Sequence, residues 1–383
     1  VSFDNITIET ADPNEIAYAR TSVFPIFMDI EKRHEDSPVG CIRDVTFSNL
    51  DIETMGSSVI QGMPGRPIEN LTLRDVEVAY SDAQAISLGA NGTFEFVLLD
   101  DCYVHDNHIY GLYSRGTVDR MIIQDSTFEN DGHTSIILSG NHAEATLDNV
   151  EVASPGYYGL SLGGTIGTMI LEDCYLHDSG NYLVYVNANV DSLAVLNSQI
   201  QRTTSNVAMD FENNRTLGVV YFSGAEVSDA ASTNIRIKPG TRLDTLVFEN
   251  SDIHDAGYDG VSLWGQADST VITGSHFDDN ARRGFDFGHF QETGTDISVM
   301  SSTFNNNAAE GIAMANAEGA QFLDVVATGN GGAGFLVWEW VDATSALTFA
   351  GCEFSGNGWD GAAFVTQAGK SIDDVSMLQC VIS

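Results

Sequence analysis

The sequence predicts an all-β fold: a right-handed, single-stranded parallel β-helix, a solenoid of about 14–15 coils. Three observations point there. One short phrase recurs every 23 to 28 residues from Leu50 onward. Within each phrase apolar and polar residues alternate, the period of a strand and not of a helix. The joints between phrases are built from Asp, Asn, Gly and Ser, which tolerate left-handed backbone and bond their own turns.

The phrase reads "SDIHDAGYDGVSLWG" from Ser251, "CYLHDSGNYLVYVN" from Cys174 and "CEFSGNGWDGAAFV" from Cys352. Its first position is small or apolar: Leu50, Val76, Cys102, Ser126, Val150, Cys174, Ser198, Ala225, Ser251, Ser275, Ser302, Val325, Cys352 and Cys380. Two residues on, every position is apolar, from Ile52, Val78 and Val104 through Phe277 and Phe304 to Phe354 and Ile382. Both columns therefore face inward on one strand. Helical repeats would need periods of about 34 residues, and a leucine-rich repeat its leucine and asparagine frame; neither is present. Coils stacked at about 4.8 Å predict a rod roughly 60 Å long. Ile6 and Ile8 fit the same columns, but 44 residues separate Ile6 from Leu50, which predicts a long loop or an extra coil there. Glu31 to Gly40 is the most loop-like part, and one domain spans 1–383.

Composition narrows the partners. With 54 acidic and 16 basic residues the net charge is −38, which argues against nucleic acid and anionic membranes. That acidity suits either a strongly solvated surface or cation binding along carboxylate rows. A polyanionic substrate would need a local basic patch. No run approaches the ~18 apolar residues of a membrane span. Five dispersed cysteines without a CxxC pair argue against a disulfide scaffold and a structural zinc site. Cys352 and Cys380 occupy adjacent coils in one column and come within reach of each other, with stacked thiols the expected state. The start at Val1 reads as a processed or trimmed protein. Strand-like residues at both ends predict a fragment of a longer protein, or ends that self-associate or pair with an additional chain.

Residues 1 to about 90 resemble the later coils of the polygalacturonase family of glycoside hydrolases, within the pectin-lyase-like β-helix superfamily. The phrases that carry this are "VSFDNITIET" from Val1, "PIFMDIEKR" from Pro25, "IRDVTFSNLDIE" from Ile42 and "SSVIQGMPGRPIENLTLRDVEV" from Ser57. Residues 91–383 resemble only the generic repeats of the superfamily. The resemblance implies acid–base hydrolysis of polygalacturonan-type chains by aspartates on neighbouring coils. The family's Asn-Thr-Asp, Gly-x-Asp-Asp and Gly-His-Gly phrases do not occur here, while its Arg-Ile-Lys phrase does, as Arg236-Ile237-Lys238.

Stacking turns outward residues of successive coils into neighbours. On the strand bearing Arg236 the outward row is Tyr185 and Asn187, Asp210, Arg236 and Lys238, Ser262 and Trp264, then Asp286 with His289 just beyond. Aromatic, cationic, acidic and amide groups in this order suit a saccharide, so Tyr185, Asn187, Asp210, Arg236, Lys238, Trp264, Asp286 and His289 are the candidate substrate-binding residues. Asp210 and Asp286, about 14 Å apart by stacking, exceed the ~6.5–9.5 Å of an inverting pair. In the preceding turn Asp259 and Glu310 lie near 10 Å apart with Arg283 between them, a candidate catalytic trio of acid, base and carboxylate anchor. The default role of such turn residues is solvation.

"GLSLG" from Gly159 and "GNGGAG" from Gly329 match catalytic and nucleotide-binding motifs but lack the strand–turn–helix context both require. His105, His177 and His254 share a turn column on separated coils and read as solvent-facing, with no metal. Calcium is the one cofactor the sequence admits, at Asp-rich turns such as Asp100-Asp101 and Asp278-Asp279. Three functions stay open. One is an extracellular or cell-surface carbohydrate-active protein, a polysaccharide hydrolase or part of one. The second is a non-catalytic glycan-binding adhesin, spike or fibre. The third is a polysaccharide lyase with Arg236 or Lys238 as base.

Overall fold

The computed structural model describes residues 1–9, 24–30, 34–288, 296–315, 319–338, 344–366 and 371–383. Among them every regular element is a strand, and no helix is long and apolar enough to cross a membrane. The chain forms two compact units, Val1–Val190 and Asp191–Ser383. Each is a right-handed parallel β-helix. A coil has a long lead strand, a short second strand and a third strand, as in Thr93–Asp100, Tyr103–His105 and Tyr110–Ser114.

Pairing is parallel and in register. In the first unit the lead strands stack as Thr46, Thr72, Leu98, Ile122, Thr146 and Ile170, with Ser2 on Thr46. The third strands stack as Met28, Ile60, Leu88, Ser114, Leu138 and Leu162. In the second unit one column runs Glu226, Asp252, His276, Thr303, Val326, Glu353 and Val381. Ile6 pairs directly with Leu50 and Ile8 with Ile52. Among the described residues no extra coil intervenes, and the segment between them contributes Phe27–Asp29, which stacks on Val59–Gln61.

Both inward columns are buried as the alternation predicts, the first from Leu50 to Cys352 with Cys380 half-buried. The second column is 0–1% exposed from Ile52 to Phe354, and only Ile382, at 45%, departs from it. Stacking brings identical rings together: Phe222 on Phe248 at 4.8 Å, Phe277 on Phe304 at 4.9 Å and Phe322 on Phe349 at 5.0 Å. Each such side chain taken from water stabilises the fold by roughly 1.5–3 kcal/mol.

The buried serines of the first column have a polar reason to be there. Ser126, Ser251, Ser275 and Ser302 each accept the backbone N–H of the neighbouring coil and donate to the carbonyl two residues back. A hydroxyl thus satisfies a bent backbone that a methyl group would leave unpaired.

Between the lead and second strands the chain turns through one left-handed residue. It is Asn49, Asp75, Asp101, Asp125, Asn149 and Asp173 in the first unit and Asn197, Asn250, Ser301, Asp324 and Gln379 in the second, with Gly224 and Gly274 at the same place. Gly351 takes this position with φ 67°, and a Cβ there would lie 2.2 Å from Asp324 Oδ1. Asn and Asp are the non-glycine residues that tolerate this conformation best.

A second polar ladder runs inside the coils. Asn280, Asn307 and Asn330 each donate Nδ2 to Oδ1 of the next coil's asparagine, ending at Asn357, at 3.0 Å per step. Each Oδ1 also accepts the backbone N–H of the coil before. In the first unit Asn107 and Asp131 occupy equivalent places, with Asn107 Nδ2 donating to Asp131 Oδ1 at 3.0 Å.

Candidate functional site

The third-strand row of the second unit is the one the sequence singles out. Its register is Asp210, Arg236, Ser262 and Asp286, continued by Ala313, Leu336 and Ala363. Asp210 is fully buried; its Oδ1 lies 2.7 Å from Arg236 Nε and its Oδ2 2.9 Å from Lys238 Nζ. Lys238 also reaches Glu212 at 2.9 Å. Burial alone would lower the Lys238 pKa, but hydrogen bonds to Glu212 and Asp210 outweigh it and raise it above the ordinary value. Arg236 and Lys238 are thus engaged with carboxylates of the preceding coil.

Asp259, Arg283 and Glu310 stack on successive coils, as Gly260 donates to the Arg283 carbonyl and Gly284 to that of Glu310. The three are not solvated: they are 0%, 5% and 4% exposed. Arg283 Nε donates to Glu310 Oε2 at 2.8 Å and Nη1 to Asp286 Oδ2 at 2.6 Å. Its guanidinium lies 4.7 Å from the centre of the Trp338 ring. Burial disfavours its charge, and Asp286 and Glu310 more than compensate, so its pKa lies above the ordinary value.

Asp259 accepts the Ser262 hydroxyl at 2.6 Å and the Arg283 backbone N–H at 3.3 Å. Burial pushes its carboxyl up to about 6, against the opposing pull of Arg282 and Ser262. Arg282 closes the network from the surface side. It reaches Asp259 at 3.2 Å and Asp286 at 3.3 Å, and lies 4.2 Å over the Tyr258 ring. Three carboxylates therefore share two guanidinium groups. Arg282, Glu212 and Trp338 were not among the residues predicted, and Ser262 was placed in the row without a role; the adjacent pair Arg282-Arg283 in a chain with so few cations is the signal that could have found this centre.

Trp264 lies apart from that network. It lines an open cavity of about 370 Å³ with Pro239, Thr241, Arg242 and Gln266. One wall is the turn Lys238-Pro239-Gly240-Thr241, where Gly240 has φ 79° and the Thr241 N–H donates to the Lys238 carbonyl at 3.3 Å. The Thr241 hydroxyl donates to the Glu212 carbonyl at 2.6 Å, which fixes the wall. Arg242 is exposed and Trp264 half-buried.

Tyr185 and Asn187 belong to the first unit, both half-buried on Tyr182–Leu196. Tyr185 stacks on Tyr158 at 4.9 Å and on Tyr182 at 5.4 Å. His289 lies outside the described residues.

The histidine column is more ordered than a solvated row. His105 sits between Glu77 (3.1 Å) and Asp106 (2.8 Å), His177 between Glu151 (3.0 Å) and Asp178 (2.7 Å), and His254 between Glu226 (3.4 Å) and Asp255 (2.8 Å). For His105 and His254 burial works against the charged ring, but the adjacent carboxylates outweigh it and raise the pKa. Among the described residues no group of three or more His, Cys, Asp or Glu is arranged to hold a metal ion. At the Asp-rich turns Asp278 is engaged with the Thr303 hydroxyl and the Asn305 N–H, and Asp100 with Arg74 and Gln124.

Two stretches of the chain, residues 84–220 and 208–354, match the family model described as "Right handed beta helix region". No curated protein matches the chain significantly in sequence. Among solved structures, the crystal structure of the periplasmic alginate epimerase AlgG is similar, with a TM-score of 0.48 and 10% identity, over 82% of this chain and 77% of that one. A double-mutant form of AlgG aligns over the same shares with a TM-score of 0.49 and 11% identity. At those scores the likeness says nothing about what this chain acts on.

Proposed function

The chain belongs to the right-handed β-helix family, within the pectin-lyase-like superfamily, and from that premise we propose that it is an extracellular or cell-surface carbohydrate-active protein that binds a carboxylate-bearing polysaccharide. The observation that carries this reading is the cavity in which Trp264 stands beside Arg242, Thr241 and Gln266. An indole offers a face to a sugar ring, a guanidinium matches a carboxylate, and hydroxyl and amide groups satisfy ring hydroxyls. Charge makes the location selective. Of the seven basic residues between positions 202 and 283, Arg236, Lys238, Arg282 and Arg283 are committed to carboxylates, whereas Arg242 stands exposed at the cavity. On a chain of net charge −38, a polyanion has few other places to settle.

Binding ranks ahead of hydrolysis because the groups that would do acid–base work are buried in ion pairs. The hydrolase reading, polygalacturonan-like in substrate, keeps one support: Asp259, at about 6, holds a proton in mildly acidic solution as a general acid must. The lyase reading loses ground, since Arg236 and Lys238 are paired with Asp210 and Glu212.

Affinity electrophoresis over neutral and uronate polysaccharides, with reducing-sugar and unsaturated-product assays alongside, separates these readings. The expected outcome is retention by uronate chains, weakened about tenfold or more by Trp264→Ala, in line with the ~1–3 kcal/mol of a stacked ring or charged hydrogen bond. Arg242→Ala should weaken uronate binding more than any neutral-sugar binding. Equal retention of wild type and both variants would remove the cavity from the reading. Turnover lost in Asp259→Asn, with binding kept, would restore the hydrolase.

A further inference from the structure

Cys352 and Cys380 face each other on adjacent coils. Glu353 pairs with Val381 and Phe354 with Ile382 in parallel register, and the Val381 N–H donates to the Cys352 carbonyl at 2.9 Å. Stacked residues in such a pair have Cα atoms about 4.8 Å apart, inside the range that a disulfide spans. From that stacking distance their Cβ atoms need to close by roughly 1 Å to about 4 Å. Little opposes that shift: the coil of Cys380 is held by short pairings, of two residues at Ile372–Asp373, three at Ser376–Leu378 and two at Val381–Ile382. The other cysteines lack such a partner in the register. Ser126 and Val150 lie between Cys102 and Cys174 in their column, and Cys41 is exposed elsewhere.

We propose that Cys352 and Cys380 are a redox-closed clip, a disulfide site that fastens the coil of residues 376–382 to the coil before it. The two thiols differ in access. Cys352 is buried and Cys380 is half-buried. Burial, with a smaller contribution from the Cys380 thiol beside it, pushes Cys352 up to about 11. Cys380 is accordingly the attacking group and Cys352 the resolving one. With a small disulfide such as oxidised glutathione as oxidant, the Cys380 thiolate attacks one sulfur and expels one glutathione thiolate. Cys352 then gives up its proton, attacks the Cys380 sulfur and expels the second glutathione. The protein loses two thiol hydrogens and two electrons, and the oxidant becomes two thiols.

The test uses the full chain. Native protein is incubated with oxidised glutathione, quenched with acid, denatured and titrated for thiols. The expected count falls from five to three, and a tryptic digest links the peptides holding Cys352 and Cys380 until reductant is added. Cys380→Ser, at the more accessible position, should keep its four remaining thiols, while Cys41→Ser should still lose two. Hydrogen exchange at residues 376–382 should slow on oxidation and recover on reduction. A count that stays at five, or a glutathione adduct on Cys380 that never resolves, overturns the proposal. So does linkage of any other pair.

Discussion

Asp131 stands where Asn107 stands one coil earlier, and it is 1% exposed. Burial pushes its carboxyl up to about 7, with the Asn107 hydrogen bond and the nearby Ser135 hydroxyl opposing the shift. An unfolded aspartate titrates at about 3.9, so the folded chain holds the proton more tightly. The stabilisation is complete below about pH 4 and is lost as pH rises through about 7, on the order of 4 kcal/mol. His142 has the opposite slope. Burial pushes its ring down to about 4, so its contribution is complete above about pH 6.5 and fades as pH falls toward 4. The two cancel over much of one window. Asp131→Asn removes one of them: an amide carries no charge and can donate as Asn307 does to the Phe277 carbonyl and Asn330 to that of Phe304. Urea unfolding should show the variant gaining on wild type between pH 5 and pH 8, by about 1–3 kcal/mol at the upper end. A difference that is flat with pH would show that Asp131 is ionised in the folded chain throughout.

The asparagine ladder shows what an element adds to its residues. Asn307 Oδ1 accepts both the backbone N–H and the Nδ2 of Asn280, while its own Nδ2 bonds Asn330 and the Phe277 carbonyl. Asn307→Ala leaves two buried donors and one carbonyl short of a partner, and should cost about 2–4 kcal/mol in denaturant unfolding. Asn213→Ala, an exposed residue bonding its neighbour Glu212, should change stability by less than about 0.5 kcal/mol. A loss at Asn307 no larger than that would mean the ladder is incidental to the coil. The sequence contains this column: Asn107, Asn280, Asn307, Asn330 and Asn357 each lie five residues after a first-column position. It escapes reading because Asn and Asp are also what left-handed turns require, as at Asn49 and Asp75. In the same column Asp131 and Ser179 break the pattern. The second column was legible because every member is apolar, and the first because each member is small or apolar. The row Asp210, Arg236, Ser262 and Asp286 followed from counting alone. The burial of Asp259 and Glu310 did not, since counting does not show Arg282 of the next coil closing over Asp259 and Tyr258, or Arg283 set between Glu310 and Trp338.

Charge acts on the molecule as a whole, and it sets two salt dependences of opposite sign. With 54 acidic residues against 16 basic, like charges repel along the surface more than opposite charges attract. Raising ionic strength from 0.02 M to 0.5 M shortens the screening distance from roughly 20 Å to about 4 Å, and relieves that repulsion. The basic residues lose little in return, because the pairs that matter most, Arg283 with Glu310 and the half-buried Arg236 with the buried Asp210, are weakly screened. Stability should therefore rise with sodium chloride over this range. Uronate binding at Trp264 and Arg242 should move the other way, since an exposed guanidinium attracts a carboxylate across solvent. The fall should be reduced in Arg242→Gln, which keeps the cavity and removes the charge. Parallel titrations of unfolding midpoint and polysaccharide affinity against salt decide the matter. If affinity and stability rise together, the ligand is held without help from Arg242 and is a neutral glycan.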